Sequence, residues 1–260
     1  MSRSSDSEIG QYYYSCTPPN WAQAILWFKS AIEKGDYSCC DKLTHIFSEG
    51  ENGIAIDYDE MFRYATISDS HGSYLGTYNL GRCYQHGFGT LVNRDRALLN
   101  FRKAADADFP FALWKLGILY FIGFLVARNN DMGFLYTQRA ATLGFRDAQT
   151  QLGSCYLHGI GTPVDSKRAL EHLQLAADKD CSIAAQHLGV LYENGGRDGV
   201  IQRNYTEAIK WYNKSGTDKS QLGLIRCLRA EADRLEVEQQ QQRSQKRPKQ
   251  EDDSTFVSKD

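Results

Sequence analysis

A chain of 260 residues with 42% apolar content can bury one sizeable core or an elongated array of smaller ones. Its 30 basic and 32 acidic residues give a formal charge of -2, which argues against a nucleic-acid partner, because such binding faces are strongly basic. The first residues are polar and Tyr-rich without the apolar run of an export signal, and the Cys at 16, 39, 40, 83, 155, 181 and 227 show no C-x-x-C spacing, so a reduced, cytoplasmic setting is expected.

In chain order, Ile9-Gly10 with Tyr13 marks a worn first helix, and residues 1–19 are read as a degenerate N-terminal repeat helix. Helix starts then recur at Asn20, Asp57, Asn93, Asn129, Asp165 and Asn204. Their side chains can accept hydrogen bonds from the free N–H groups of a first turn. Three of the steps between them are 36 residues; the last is 39, with the extra residues in the loop Gly195-Gly196-Arg197-Asp198-Gly199. Gln23, Glu60 and Glu207 sit three residues after their caps, as in a capping box. Leu43, Phe47 and Gly50 hold the register of a degenerate unit that Cys39-Cys40 opens.

From residue 80 the repeat is plain. Leu-Gly-x-x-Tyr begins at Leu80, Leu116, Leu152 and Leu188, each 36 residues apart, and Ala104-Ala105, Ala140-Ala141 and Ala176-Ala177 keep the same interval. Apolar residues such as Ala97, Leu98, Phe101, Ala104 and Ala105 fall on one helical face. Each unit therefore reads as two helices joined by a Gly-rich turn. His158-Gly159-Ile160-Gly161-Thr162-Pro163 could suggest a phosphate loop, but His86-Gly87-Phe88-Gly89-Thr90 is the same string 72 residues earlier. No strand precedes it, so Gly159 is assigned to a helix C-cap and Gly161 to the turn.

These units resemble Sel-one-like repeats (SLR), the longer cousins of tetratricopeptide (TPR) repeats. Ala148, Leu152, Gly153, Tyr156, Gly159, Gly161, Asp165, Ala169, Ala176 and Ala177 match that family's pattern nearly throughout. The unit around Leu116 departs from it, with Leu125 in place of the second turn Gly and Gly133 in place of Ala. The resemblance covers about residues 5 to 230 and implies an all-α fold, a right-handed α/α superhelix (solenoid) of SLR/TPR-like helix hairpins. The chain is read as tandem repeats over 20–217 and a capping helix over 218–240; from about Glu231 a Glu- and Gln-rich stretch gives way to a basic cluster and an acidic, Ser-containing end, a fraying helix followed by a disordered tail over 241–260. The resemblance also implies a non-enzymatic protein-protein interaction module, either an adaptor or regulatory subunit, or an immunity- or effector-type protein that blocks or carries one enzyme.

No metal or cofactor set is expected. His86 and His158 lie two repeats apart, too far to share an ion, and no Ser-His-Asp order or nucleotide motif is present. Phe109 to Ala127 is nearly long enough to span a bilayer, but it holds Pro110 and Lys115 and keeps the repeat phase, so no membrane insertion is expected. Instead its helix is apolar all round. With Leu116 facing the core and 100° per residue, Phe111, Trp114, Ile118, Phe121 and Ile122 fall between about 140° and 240°, on the face that lines the inner groove of a TPR-like superhelix. At the same phase lie Leu75, Tyr78 and Arg82 before it and Leu157 after it. Two readings stay open: the superhelix buries this patch itself, or the patch is a groove for a peptide or helix of another protein.

Overall fold

The computed structural model describes residues 5–245. The chain divides into two compact units, Met1–Asp165 and Ser166–Asp260. The first holds α1 (Asp6–Ser15), α2 (Trp21–Glu33), α3 (Cys40–Glu49), α4 (Tyr58–Ser70), α5 (Tyr74–His86), α6 (Arg94–Asp106), α7 (Pro110–Ile122), α8 (Asn130–Thr142) and α9 (Arg146–His158). The second holds α10 (Ser166–Ala177), α11 (Ser182–Asn194), α12 (Tyr205–Ser215) and α13 (Asp218–Gln245). Among the described residues there is no strand, and within each unit helices pack against their neighbours in sequence. The fold is all-α, built of repeated helix hairpins.

The sequence punctuation sets the helix boundaries. The side chains of Asn20, Asp57, Asn93, Asn129 and Asn204 each accept from the backbone N–H three residues on, at 2.9–3.1 Å. The reciprocal half of a capping box is seen at α1, where Ser5 and Glu8 bond each other's backbone. At the far end of the hairpin's first helix, Gly87, Gly123 and Gly159 take left-handed C-cap conformations. The hairpin then closes through one repeated bond. The N–H of each cap residue, Asn93, Asn129 and Asp165, donates to the carbonyl of Tyr84, Tyr120 and Tyr156 at 2.8–3.0 Å. Two of these Tyr rings reach back one repeat, Tyr84 meeting Phe62 edge-on at 5.7 Å and Tyr156 meeting Phe134 at 5.5 Å, while Tyr120 stacks on Tyr136 of its own hairpin at 5.6 Å.

Between the two helices of a hairpin, a helical glycine faces an aromatic ring. A Cβ at Gly81 would lie 2.6 Å from the Phe101 ring, one at Gly10 2.5 Å from Phe28, and one at Gly189 2.5 Å from Tyr212. Such separations are inside contact distance, so only Gly lets the ring lie on the helix backbone. This explains why a residue that costs about 1 kcal/mol in helix propensity recurs at one phase. The ring of Tyr212 also meets Gly223 of α13, and its hydroxyl donates to Glu193 at 2.5 Å. Arg226 grips the same carboxylate with two bonds of 2.6 and 2.9 Å.

The α7–α8 hairpin reverses this arrangement. Gly117 faces the small Thr137, while Phe121 of α7 lies on Gly133 of α8, where a Cβ would stand 2.6 Å from the ring. Gly133, in the place of the usual Ala, thus accommodates Phe121. Leu125, in the place of the second turn Gly, adopts φ +65°, the left-handed conformation that Gly89 and Gly161 adopt in the same turn.

At the C-terminal end, α13 is longer than the capping helix expected over 218–240. It runs on through Gln245, in a Glu-, Gln- and Arg-rich stretch with good intrinsic helix propensity. The tail expected over 241–260 lies, from residue 246, outside the described residues.

Two stability predictions follow from these contacts. Gly161 has φ +66°, and a Cβ there would run into the carbonyl of Asn130 and the side chain of Phe134, whereas Gly35 has φ +86° with nothing within 4 Å. Gly161→Ala is therefore expected to cost about 1–3 kcal/mol in denaturant unfolding and more than Gly35→Ala, which meets the backbone strain alone. Equal losses would show that the approach to Asn130 contributes nothing. The second concerns Glu193, whose carboxyl is held below its ordinary range chiefly by the Arg226 guanidinium and also by the Tyr212 hydroxyl. A depressed folded value stabilises above the unfolded carboxyl range and is lost as pH falls through the folded value. Arg226→Met should accordingly lower the melting temperature at pH 7, with the gap from wild type narrowing below about pH 4. A gap independent of pH would remove the ion pair from the account.

Candidate functional site

The apolar α7 places its residues differently around its circumference. Ala112, Leu113, Leu116, Gly117 and Leu119 are buried. On the other side Phe111 remains 45% exposed and Ile122 64% exposed, while Trp114 and Ile118 are half-buried. The patch is therefore not closed over at these positions. Leu75 and Tyr78 on α5 and Leu157 on α9 are half-buried as well.

Ring contacts join part of this set into one strip across α5, α7 and α9. Tyr78 lies 6.1 Å from Phe111 and 5.9 Å from Phe109, and Phe109 stacks on Phe111 at 5.5 Å. Phe145 meets Phe111 edge-on at 4.8 Å and Trp114 at 5.5 Å. Phe109 and Phe145 are the N-cap residues of α7 and α9, and neither makes a side-chain cap bond. The sequence reading missed both as site residues. Their signal was the repeat interval itself: they stand 36 residues apart where Ser73 caps α5 through its hydroxyl. Replacing a capping hydroxyl by a ring costs about 1 kcal/mol of helix capping and adds aromatic surface to the strip.

Phe121 is a correction. It was placed on the groove face, but its ring lies on the α8 backbone at Gly133, inside the hairpin. At 140° from Leu116 it sits at the edge of the assigned face, and the absence of a side chain at Gly133 draws it inward. Ile122, next to it, is exposed at the C-terminal end of α7.

Polar groups border the strip. Arg82 of α5 is half-buried, and its guanidinium makes a long bond, 3.4 Å, to Asn79 Oδ1. Lys115 of α7 is half-buried with its Nζ 5.7 Å from the centre of the Phe101 ring, and burial, then the nearby Arg82 charge, lowers its pKa. The thiols of Cys83 and Cys155 are buried and pushed up to about 11 by loss of water, which makes them poor nucleophiles. Among the described residues no group of three His, Cys, Asp or Glu could hold a metal ion, and no helix is long and apolar enough to cross a membrane.

Comparison with known proteins agrees with this architecture. The chain is similar to a Sel1 repeat protein from Oxalobacter formigenes, at 28% identity and a TM-score of 0.72 over 82% of this chain and 86% of that one. It is also similar to a protective antigen of uropathogenic Escherichia coli displaying an SLR fold, at 25% identity and a TM-score of 0.62, over 84% of this chain and 55% of the antigen. An immunity protein from Pseudomonas aeruginosa, 18% identical with a TM-score of 0.51 over 85% of this chain and 84% of that one, shares the fold. No curated protein sequence matches the chain. The Sel1 repeat model matches residues 8–36, 75–109, 110–145, 146–181 and 182–218, more than half of the chain, and the chain belongs to the Sel1 repeat family.

Proposed function

We propose that this protein is a non-enzymatic binding module, an adaptor or regulatory subunit, whose protein partner docks along the α5–α7–α9 face with the aromatic strip as its anchor. The observation that carries this reading is the exposure of Phe111 beside Trp114 and Ile122 on a helix that is apolar all round. Contiguous apolar surface of this kind marks interaction sites, and aromatic side chains at the centre of an interface carry much of the binding energy. Repeats of this family are generally protein-binding modules, which supports the class of function. The strongly perturbed side chains are buried thiols and phenols such as Cys83, Cys155 and Tyr64, raised by loss of solvent rather than tuned for acid–base work. Six of the seven cysteines are buried, which fits a reducing, cytoplasmic setting.

The test pairs binding with folding. Wild type, Phe111→Ala, Trp114→Ala and the surface control Leu99→Ser are used in parallel to capture partners from source-cell extract, and the captured protein is then titrated. Phe111→Ala and Trp114→Ala should each weaken binding by more than about 1 kcal/mol with helical circular dichroism unchanged, and Leu99→Ser should bind as wild type. If both strip variants are folded and bind normally, the partner does not use this face. If both lose helix content, the strip holds the repeats together rather than a partner.

A further inference from the structure

The strip is bordered by cations that have no acid to answer them. The two cations, Arg82 and Lys115, lie on α5 and α7, helices that contain no Asp or Glu at all, and the His86 imidazole of α5, disfavoured as a cation by burial and by both charges, accompanies them. Their angular positions agree. In the repeat register Arg82 stands where Ile118 stands on α7 and His86 where Ile122 stands, and Lys115 is 60° from Ile118 around the helix. All three positions therefore lie toward the side of the hairpin stack that carries Tyr78 and Trp114, with the Lys115 ammonium near the Phe101 ring that Tyr78 also meets. They also sense one another: Lys115 and Arg82 both lower the pKa of His86, after burial, and Arg82 lowers that of Lys115.

Three carboxylates on the neighbouring elements are engaged elsewhere. Asp69 of α4 takes Lys103 at 2.7 Å and the Thr77 hydroxyl, Asp108 takes Arg139 at 2.7 Å, and Asp147 of α9 pairs with Arg146 at 3.3 Å. Among the described residues neither Arg82 nor Lys115 takes part in an ion pair, although both are half-buried. Half-burying two cations together without a counter-charge is unfavourable, because each loses water and repels the other. An incoming carboxylate would relieve both costs at once.

We propose that the face selects an acidic peptide segment of its partner, one that sets an Asp or Glu on Arg82 and Lys115 and a neighbouring large apolar side chain on Phe111 and Trp114. This rests on the docking reading above and names the chemistry of the occupant. The Arg82 guanidinium suits a carboxylate through its forked donors, and Lys115 adds a second charge at a partly desolvated position. The apolar side chain supplies burial, and the carboxylate fixes where along the strip it sits.

The full chain, displayed as bait, is used to select from a random peptide library on phage, and the selected peptides are synthesised and titrated. The expected sequences carry Asp or Glu within a few positions of Leu, Phe or Trp, and their affinity falls as NaCl rises. The double variant Arg82→Glu/Lys115→Glu should bind them roughly tenfold or more weakly. Arg82→Gln/Lys115→Gln, which is gentler on the fold, should show a smaller loss in the same direction, and it decides the matter if circular dichroism shows the Glu pair to be unfolded. Selected peptides without acids that still require Trp114 would overturn this inference and leave the docking reading standing. So would acidic peptides indifferent to both double variants, or displacement of the peptides by an equal concentration of single-stranded oligonucleotide. If no peptide is selected above background, both the inference and the docking reading fall.

Discussion

The repeats hold together because a glycine in one helix lets an aromatic ring lie on its backbone. Gly10 under Phe28, Gly81 under Phe101 and Gly189 under Tyr212 are the same contact at successive places in the chain. Each brings two helix axes closer than any side chain would allow and lets the ring make close dispersion contact along its face. Caps and turns fix where helices begin and end, but this contact fixes how near they lie. A one-methyl addition at the glycine would have to move either a buried ring or a backbone.

The α7–α8 hairpin satisfies the same constraint from the other side. With Thr137 opposite Gly117, the ring is supplied by Phe121 of α7 and the gap by Gly133 of α8. The exchange has a consequence for the surface. Helix α7 gives one aromatic to the hairpin and keeps Phe111 and Trp114 at its other end, where Phe109 and Phe145 extend them into a strip. The hairpin that exchanges ring and glycine is thus also one that presents aromatic residues at its surface. A departure that costs capping and propensity yet builds a continuous aromatic strip with Phe111 exposed is the kind that function explains better than packing does.

Much of the fold was legible because its signals are local. Asn20, Asp57, Asn93, Asn129 and Asn204 cap helices through bonds to the backbone three residues on, and Gly87 and Gly159 end helices because the left-handed conformation favours Gly. Helical phase also placed Tyr78, Phe111 and Trp114 on one side of their hairpins. Pairing across a hairpin was not legible in the same way. Phe121 lies at the edge of its assigned face, and its inward turn depends on which residue happens to stand opposite it. Gly133 was noticed as a departure, but its meaning appears only once it is set against Phe121. Ser5 and Glu8 carry a plain capping-box spacing that was legible in the sequence but not used. The last turn of α13 was assigned to the tail, although Glu, Gln and Arg are good helix formers.

The reversed contact between Phe121 and Gly133 can be tested by the sign of one substitution in two backgrounds. Gly133→Ala is introduced into the wild-type chain and into Phe121→Ala, and all four proteins are unfolded in urea. With Phe121 present, the new methyl must push against a half-buried ring, and the account predicts a loss of about 1–3 kcal/mol. With the ring removed, the methyl enters open space and the better helix propensity of Ala should give a gain of up to about 1 kcal/mol. A change of sign between the two backgrounds is the predicted result. The same cost in both would mean that Phe121 does not rest on Gly133, and would contradict the account of how this hairpin closes.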